Sequence, residues 1–384
     1  MRRCFAVIGL SAMLLMLPGC WDSKTIQDVN YVVSLGFDYT EGEYRIYAQM
    51  LDFANVAKQE GGGGTKASIW VGEGKGSSMK QAMASLYDTA QQLVFWGHVS
   101  SFVFTEAALR QGVDEIIEPL VRYRGMRYTQ WVYGTNEPIE TLFNTVPFFH
   151  LSPLSTILNE PEGNYEQRSF PKPIQLNRFI ADTREPGRTV LLPALGIDRK
   201  VWKKDGKPDS KMLMNGLFLI EEGNDVTQID LTHLLGLQWL DSDAEAIQLP
   251  IYEGKRRLAQ LTVDRSKHTS KARAADGAIV LDLEIRVRSL ISELQEPIEL
   301  EKLQKLAEEK IRTQIKETFE YAKRKRVDVY RGEYRLYHDH FRAWSLLTRN
   351  GERQDIDIKL GEVKVNMKVS QSGMYKSVVR HADY

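Results

Sequence analysis

Cysteine is almost missing from this chain of 384 residues: there are two, Cys4 and Cys20. Residues 21–384 therefore hold no disulfide, no cysteine-ligated zinc or iron–sulfur site and no cysteine nucleophile. Without such staples the fold must rest on a hydrophobic core, which a chain of this length with 42% hydrophobic residues can build. An excess of one charge is missing too. Lysine and arginine number 51 against 51 aspartates and glutamates, which leaves no strongly basic face and excludes nucleic acid as a partner. After the first twenty residues there is no second apolar run of spanning length, so the body is not expected to cross a membrane.

Catalytic and metal-binding signatures are equally scarce. The stretch Gly72-Glu73-Gly74-Lys75-Gly76-Ser77-Ser78 is only loosely like a phosphate loop, because Gly76 separates the lysine from the serine. It reads as a flexible turn before a helix. Ser77 and Lys80 have the spacing of an acyl-transfer pair, but Ser77 is better explained as a helix cap. His338 and His340 stand two residues apart, which on a helix points them to roughly opposite sides and suits a solvated face better than a shared metal. His98, after Trp96-Gly97, reads as a hydrogen-bonded structural histidine. The sequence thus points away from an enzyme and implies no metal or cofactor.

What the chain does have begins at its start. Arg2 and Arg3 precede an apolar stretch from Phe5 to Leu17, which ends in Leu17-Pro18-Gly19-Cys20. Two cations, an apolar segment and a small residue before cysteine form the order of a bacterial lipoprotein signal. Residues 1–19 are expected to be removed and Cys20 to carry the acyl chains, palmitate among them. Two or more chains hold durably where one does so only reversibly, so the body is expected to be lipid-anchored at a membrane surface.

Alternation at 44–53 predicts a strand, the glycines at 61–64 a loop, and 69–71 a second short strand. Ser77 or Ser78 caps a helix whose inner face is Ala82, Met83, Leu86, Ala90 and Leu93. A buried strand at 100–105 leads through the cap Thr105 to one helix ending at Val121, and a strand returns at 129–133. Five prolines between 147 and 173 predict an irregular excursion. Apolar stretches at 191–197 and 212–220 and a helix at 230–240 suggest a small middle module.

The C-terminal part is clearer. Leu281, Leu283, Ile285 and Val287 alternate with Asp282, Glu284, Arg286 and Arg288, the pattern of antiparallel strands with one wet face. After Pro297 the apolar residues Leu300, Leu303, Ala307, Ile311, Ile315, Phe319 and Ala322 keep helical spacing, supported by Glu301–Lys305, Glu308–Arg312 and Glu320–Arg324. A shorter helical region covers 334–347, and the last strand switches face at Gly361. The class is α/β to α+β, with a C-terminal antiparallel or mixed sheet packed by a long helix. Its expected divisions are 1–19 signal, 20–194 N-terminal α/β domain, 195–250 small middle domain and 251–384 C-terminal α+β domain.

Several short motifs occur in an order that resembles the C subunit of spore germinant receptors, the GerC type. They are Gly19-Cys20-Trp21-Asp22, Gly36-Phe37-Asp38, Gly97-His98-Val99 before Phe102 to Glu106, and the cluster Arg122, Arg124 and Arg127. Leu192-Pro193-Ala194-Leu195-Gly196, Asn215-Gly216-Leu217 and Trp344 continue the series. The arginine segment is more basic here than the mixture of acids and arginines associated with the family. The resemblance implies three mixed domains and a non-enzymatic subunit on the outer face of the spore inner membrane. It also implies integral-membrane A and B type subunits as partners and a response to small nutrients such as amino acids or sugars. An extracytoplasmic solute-binding lipoprotein acting alone is the alternative, though it should show repeated parallel strand–helix units in two lobes.

Arg122, Tyr123, Arg124 and Arg127 are the candidate partner-binding residues, because arginine and tyrosine are common interface anchors. Internal salt bridges or an anionic ligand would account for the same cluster. Lys323-Arg324-Lys325-Arg326 either complements a helix dipole or attracts anionic headgroups.

Overall fold

In the segment Val29–Thr40 every residue from Val32 to Phe37 is buried, at odd and even positions alike, so the strand is covered on both faces. It becomes β1, at the middle of a ten-stranded sheet, with Val32, Val33, Leu35 and Phe37 fully buried. The computed structural model describes residues 29–51, 68–123, 125–352 and 356–371. The signal at 1–19, Cys20, the motif residues Trp21 and Asp22, the glycines at 61–64 and Arg124 lie outside the described residues.

In chain order β1 is followed by β2 (Glu43–Leu51), β3 (Ile69–Gly76), α1 (Met79–Tyr87), β4 (Leu93–Phe95) and β5 (Ser101–Thr105). Next come α2 (Glu106–Gln111), α3 (Val113–Val121), β6 (Trp131–Thr135), α4 (Ile139–Phe143), α5 (Glu162–Arg168), β7 (Ile174–Gln175) and α6 (Leu176–Thr183). Then follow β8 (Val190–Asp198), the small pair β9 (Lys203–Lys204) and β10 (Lys207–Pro208), β11 (Lys211–Ile220) and β12 (Val226–Asp230). The sheet order is β12-β11-β8-β6-β5-β1-β2-β3, with β4 beside β1 and β7 beside β6. The neighbours β1/β5, β5/β6 and β6/β8 are parallel, and the outer strands are antiparallel. One face packs Phe37, Phe102, Phe104 and Phe179, and the other Val103, Tyr133, Ile139, Phe143 and Leu195. Gly36 permits that closeness: a Cβ there would stand 2.4 Å from Ile139 Cγ2.

The rest of the chain forms β13 (Gln248–Glu253), β14 (Arg256–Ala275), β15 (Ala278–Leu294), α7 (Leu300–Arg324), α8 (Gly332–Asp339), α9 (Phe341–Thr348) and β16 (Ile358–Gln371). The sheet order is β13-β14-β15-β16. β16 lies parallel to β15 after the helical crossover, so this sheet is mixed. Leu303, Ala307, Ile311, Ile315 and Phe319 of α7 share one buried cluster with Leu281, Leu283, Ile285 and Val287. Pairing between β15 and β16 shifts beside Gly361, where a Cβ would meet Asp282 Oδ1 at 2.0 Å. The mixed class and the helix-packed C-terminal sheet are as the patterns predict.

Some elements differ from expectation for identifiable reasons. The helix expected to run from Thr105 to Val121 is broken at Gly112, whose φ of 118° is not helical. α1 stops at Tyr87, and Leu93 lies on β4 with its side chain outward. Residues 231–240 hold two 3-10 turns, not a helix: the chain leaves helical angles at Leu234 (φ −113°), and Gly236 packs on α7, where a Cβ would stand 2.8 Å from the Gln314 carbonyl. The boundary expected at 194/195 falls inside β8, and β11 and β12 extend the large sheet through continuous ladders. Leu234, Leu237 and Trp239 instead join the C-terminal core. Glu308 reaches the Met367 N–H at 2.9 Å, and Arg312 pairs with Glu309.

Candidate functional site

β11 has apolar residues on both faces, and this joins the two sheets. Phe218 and Ile220 belong to a core of the large sheet, while Leu217 and Leu219 belong to the cluster of the C-terminal sheet. Beside this apolar contact runs a polar seam. Asp182, in the last turn of α6, is 3% exposed and receives three guanidinium groups, from Arg178 at 3.0 Å, Arg188 at 2.9 Å and Arg331 at 3.4 Å. Arg331 comes from the C-terminal part, and its Nε also donates to the Thr189 carbonyl at 2.9 Å. The Arg188 guanidinium sits 4.3 Å from the ring centre of Tyr334 on α8. Burial, and then the neighbouring Arg188 charge, bring Arg331 down to about 10.

At the end of β11, Glu221 accepts the Asp328 N–H at 3.0 Å and the Thr189 hydroxyl at 3.3 Å. Burial pushes its carboxyl up to about 7, against the N–H of Asp328, which favours the charged form. Burial also raises the Asp328 carboxyl, which accepts the Glu333 N–H at 2.8 Å. Charged and neutral forms of both carboxyls thus bear on how firmly the loop before α8 is held.

Over the seam opens a cleft of about 850 Å³, whose walls include Trp131, Lys172, Asp241, His268 and Tyr334. Lys172 lies 3.5 Å from Asp241, which also accepts the Tyr165 hydroxyl at 2.6 Å. Burial lowers His268 from its ordinary value. These charged groups engage one another across the two parts of the chain, which gives the seam the chemistry of a joint. Among the described residues, no group of three or more His, Cys, Asp or Glu is placed to hold a metal.

The described candidate partner-binding residues do not line this cleft. Arg122 follows α3 and is exposed, paired with Glu118 one turn earlier. The Tyr123 ring meets Trp96 edge to face at 6.3 Å, and Arg127 is exposed on the loop toward β6. Arg124 lies outside the described residues, as does Cys20. The local ion pair accounts for Arg122, while Tyr123 and Arg127 remain open to solvent.

Other singled-out residues have structural explanations. Ser78, not Ser77, caps α1, accepting the Gln81 N–H at 3.3 Å, while Gln81 Oε1 accepts the Ser77 N–H. His98 packs edge-on against Tyr31 at 5.2 Å. His338 bonds Asp339 at 2.9 Å, and His340 separates α8 from α9. Lys323 bonds Asp357 at 2.9 Å, and Arg324 lies over the Tyr321 ring. The glycine motifs mark close approaches: a Cβ on Gly196 would stand 2.4 Å from Asn215 Nδ2, and one on Gly216 2.6 Å from the Ile229 carbonyl. Sequence reasoning missed the seam and its cleft. Asp182 and Arg188 are near neighbours in sequence but share no regular spacing, and Arg331 joins them only because the two parts of the chain pack together.

Residues 22–197 match the family described as spore germination protein N-terminal domain, and residues 215–373 that described as spore germination B3/GerAC like, C-terminal. Spore germination protein KC of Bacillus subtilis strain 168 is 19% identical, over 99% of this chain and 98% of that protein. Spore germination protein A3 of the same organism is 22% identical, over 70% of this chain and 72% of that protein. The crystal structure of the GerBC protein is similar with a TM-score of 0.52, covering 87% of this chain and 96% of that one. At 14% identity this last likeness is one of fold.

Proposed function

The chain belongs to the family of GerC-type spore germination receptor subunits, and on that premise we propose that it is the lipid-anchored, non-enzymatic member of a nutrient-receptor complex. The observation that carries this reading is the extent of the match, which takes in both halves of the body and begins two residues after Cys20. The order Arg2, Arg3, apolar stretch, Gly19-Cys20 supports attachment through acyl chains on Cys20. No described helix is long and apolar enough to cross a membrane. The tether places the body on the outer face of the membrane, the spore inner membrane, beside A and B type integral-membrane subunits. Tyr123, Arg127 and their neighbours Arg122 and Arg124 are the proposed contact for those subunits. In this role the protein helps the complex respond to small nutrients.

Purification from spore membranes with crosslink mapping tests the reading. Recovery of integral-membrane subunits linked to the body is expected, and recovery of the chain alone would overturn it. Cys20→Ala should release the chain from membranes when the partners are absent. Retention in the detergent-dependent fraction would mean that lipid is not the anchor.

The cleft of about 850 Å³ is the one observation favouring a lone solute-binding protein. Against it stand the mutual pairing of the cleft's charged groups and the C-terminal sheet, whose first three strands are antiparallel. Calorimetry of the unlipidated body with amino acids and sugars should show no binding, and a micromolar ligand would favour the lone role.

A further inference from the structure

Apolar side chains exposed one at a time need no explanation, but here five lie on two short segments that meet. Phe148, Phe149 and Leu151 come from the proline-flanked turn after α4, and Val201 and Trp202 from the loop after β8; all five are exposed, Phe149 by 91% and Val201 by 73%. The three rings form one patch, because the Phe148 ring meets Trp202 edge to face at 4.8 Å and Phe149 at 6.1 Å, and Leu151 and Val201 are neighbours of these rings in the chain.

The backbone presents this patch at some cost. Phe149 has a φ of 55°, the left-handed region that a bulky residue rarely takes, and the ring it carries stands in solvent. Beside it the β9–β10 hairpin, turned at Asp205-Gly206, sets Lys204 opposite Lys207. Like charges facing each other across a hairpin weaken it. Lys200 and Lys203 are exposed on the same segment, while Lys211, paired with Asp209 at 2.7 Å, lies with its Nζ 4.7 Å over the Phe148 ring. Two locally unfavourable choices therefore combine to put aromatic rings in water beside a segment whose exposed lysines, Lys200, Lys203, Lys204 and Lys207, outnumber its aspartates Asp198, Asp205 and Asp209.

We propose that this face docks on an anionic lipid surface, with the rings at headgroup depth and the lysines over the phosphates. Aromatic side chains favour the membrane interface, and lysines are drawn to an anionic leaflet within about 10 Å of it. The exposed charge is carried by lysines, flexible point charges that suit a surface of smeared charge. A protein carboxylate would be met better by the bidentate fork of arginine, and the one arginine here, Arg199, is occupied by Glu137 at 2.7 Å. The inference draws on the tether of the proposed function only for nearness to a membrane, so its test omits the acyl chain.

The test uses the chain from residue 20 carrying Cys20→Ala, which retains every described element, with vesicle sedimentation as the readout. Binding is expected to vesicles of phosphatidylcholine mixed with phosphatidylglycerol, and not to phosphatidylcholine alone. Phe149→Ser with Trp202→Ser should weaken it about tenfold or more. Lys203→Glu with Lys207→Glu should weaken it and flatten its salt dependence. Phe341→Ser, which removes an exposed ring on α9, should change nothing. Absence of anionic-vesicle binding by the parent, or equal binding by the Phe149/Trp202 variant, would overturn the proposal. So would a variant that keeps vesicle binding but loses a protein partner from membrane extracts. Membrane release by Cys20→Ala in cells is a separate result, so failure of the tether and failure of the patch are distinguishable.

Discussion

The large sheet is covered on both faces along its centre, whereas the C-terminal sheet is covered on one. On β5, Phe102 and Phe104 point into one core and Val103 into the other. On β15, Leu281, Leu283 and Ile285 point inward, and Asp282, Glu284 and Arg286 stand opposite Lys271, Thr269 and Lys267 on the other side. The first arrangement leaves no spare face at the centre of the sheet. The second leaves a row of charged positions outside the core, of which Asp282 is held by the Glu362 N–H, and the two sheets should differ accordingly in what they tolerate.

The largest effect should come from the two-sided sheet. Phe104 is fully buried between Phe37 at 4.9 Å and Phe179 at 6.0 Å, and Phe104→Ala should cost about 3–5 kcal/mol in denaturant unfolding. A cost below about 1 kcal/mol would mean that this core can collapse into the gap. The inward side of the C-terminal sheet should respond almost as strongly. Ile311 is fully buried on α7, and Ile311→Ala should cost about 2–5 kcal/mol.

A smaller effect separates the sheets from their joint. Glu221 has a folded value of about 7 against an ordinary 4.5, so the folded protein holds that proton more tightly than the unfolded chain. The resulting stability is complete below pH 4.5 and is lost as the pH rises to about 7. Glu221→Gln keeps an acceptor for the Asp328 N–H but has no charge to bury, and should be more stable than the parent at pH 8 by on the order of 2 kcal/mol. Unfolding curves of both proteins from pH 4 to 8 check this, and parallel curves would remove Glu221 from the account.

The smallest effects belong to the wet face and the helix flank. Arg286→Ala removes a largely exposed side chain paired with Glu284, and should change stability by no more than about 0.5 kcal/mol. Glu308→Gln, which retains the acceptor for the Met367 N–H, should stay within about 0.5 kcal/mol as well. Costs matching that of Ile311→Ala would erase the distinction between the faces.

The same contrast explains what could be read beforehand. One wet face writes itself into every second residue, so the strands at 281–287 and the stripe of α7 were legible with their faces. A strand buried on both sides carries no such mark. In β2 the alternation would turn Gln49 toward water, yet it is buried and donates to the Phe143 carbonyl at 2.6 Å while accepting the Ser34 hydroxyl. The seam was invisible for another reason. Arg331 and Asp182 lie 149 positions apart, and no local spacing announces a pairing made by topology. The arginine cluster at 122–127 was legible as exposed polar sequence, but its partner is not written in it. The aromatic patch draws on two separate segments, the proline-rich excursion and the loop after β8, and only the structure shows that Phe149 is turned outward.

Along α7, Gln304 and Glu308 stand one turn apart, and along β16 the N–H groups they accept, those of Val369 and Met367, stand two residues apart. Four residues of helix advance about 6 Å and two residues of strand about 6.6 Å. The helix is in effect a ruler laid along the outer edge of the last strand, graduated in its own turns. A slip of β16 by one residue would take both N–H groups off their marks and turn Val365 and Met367 to the wet side. The last strand is thus measured twice, by β15 on one side and by α7 on the other. On that outer edge the N–H groups of Met367 and Val369 are already taken, which leaves less of a ladder for another strand to extend.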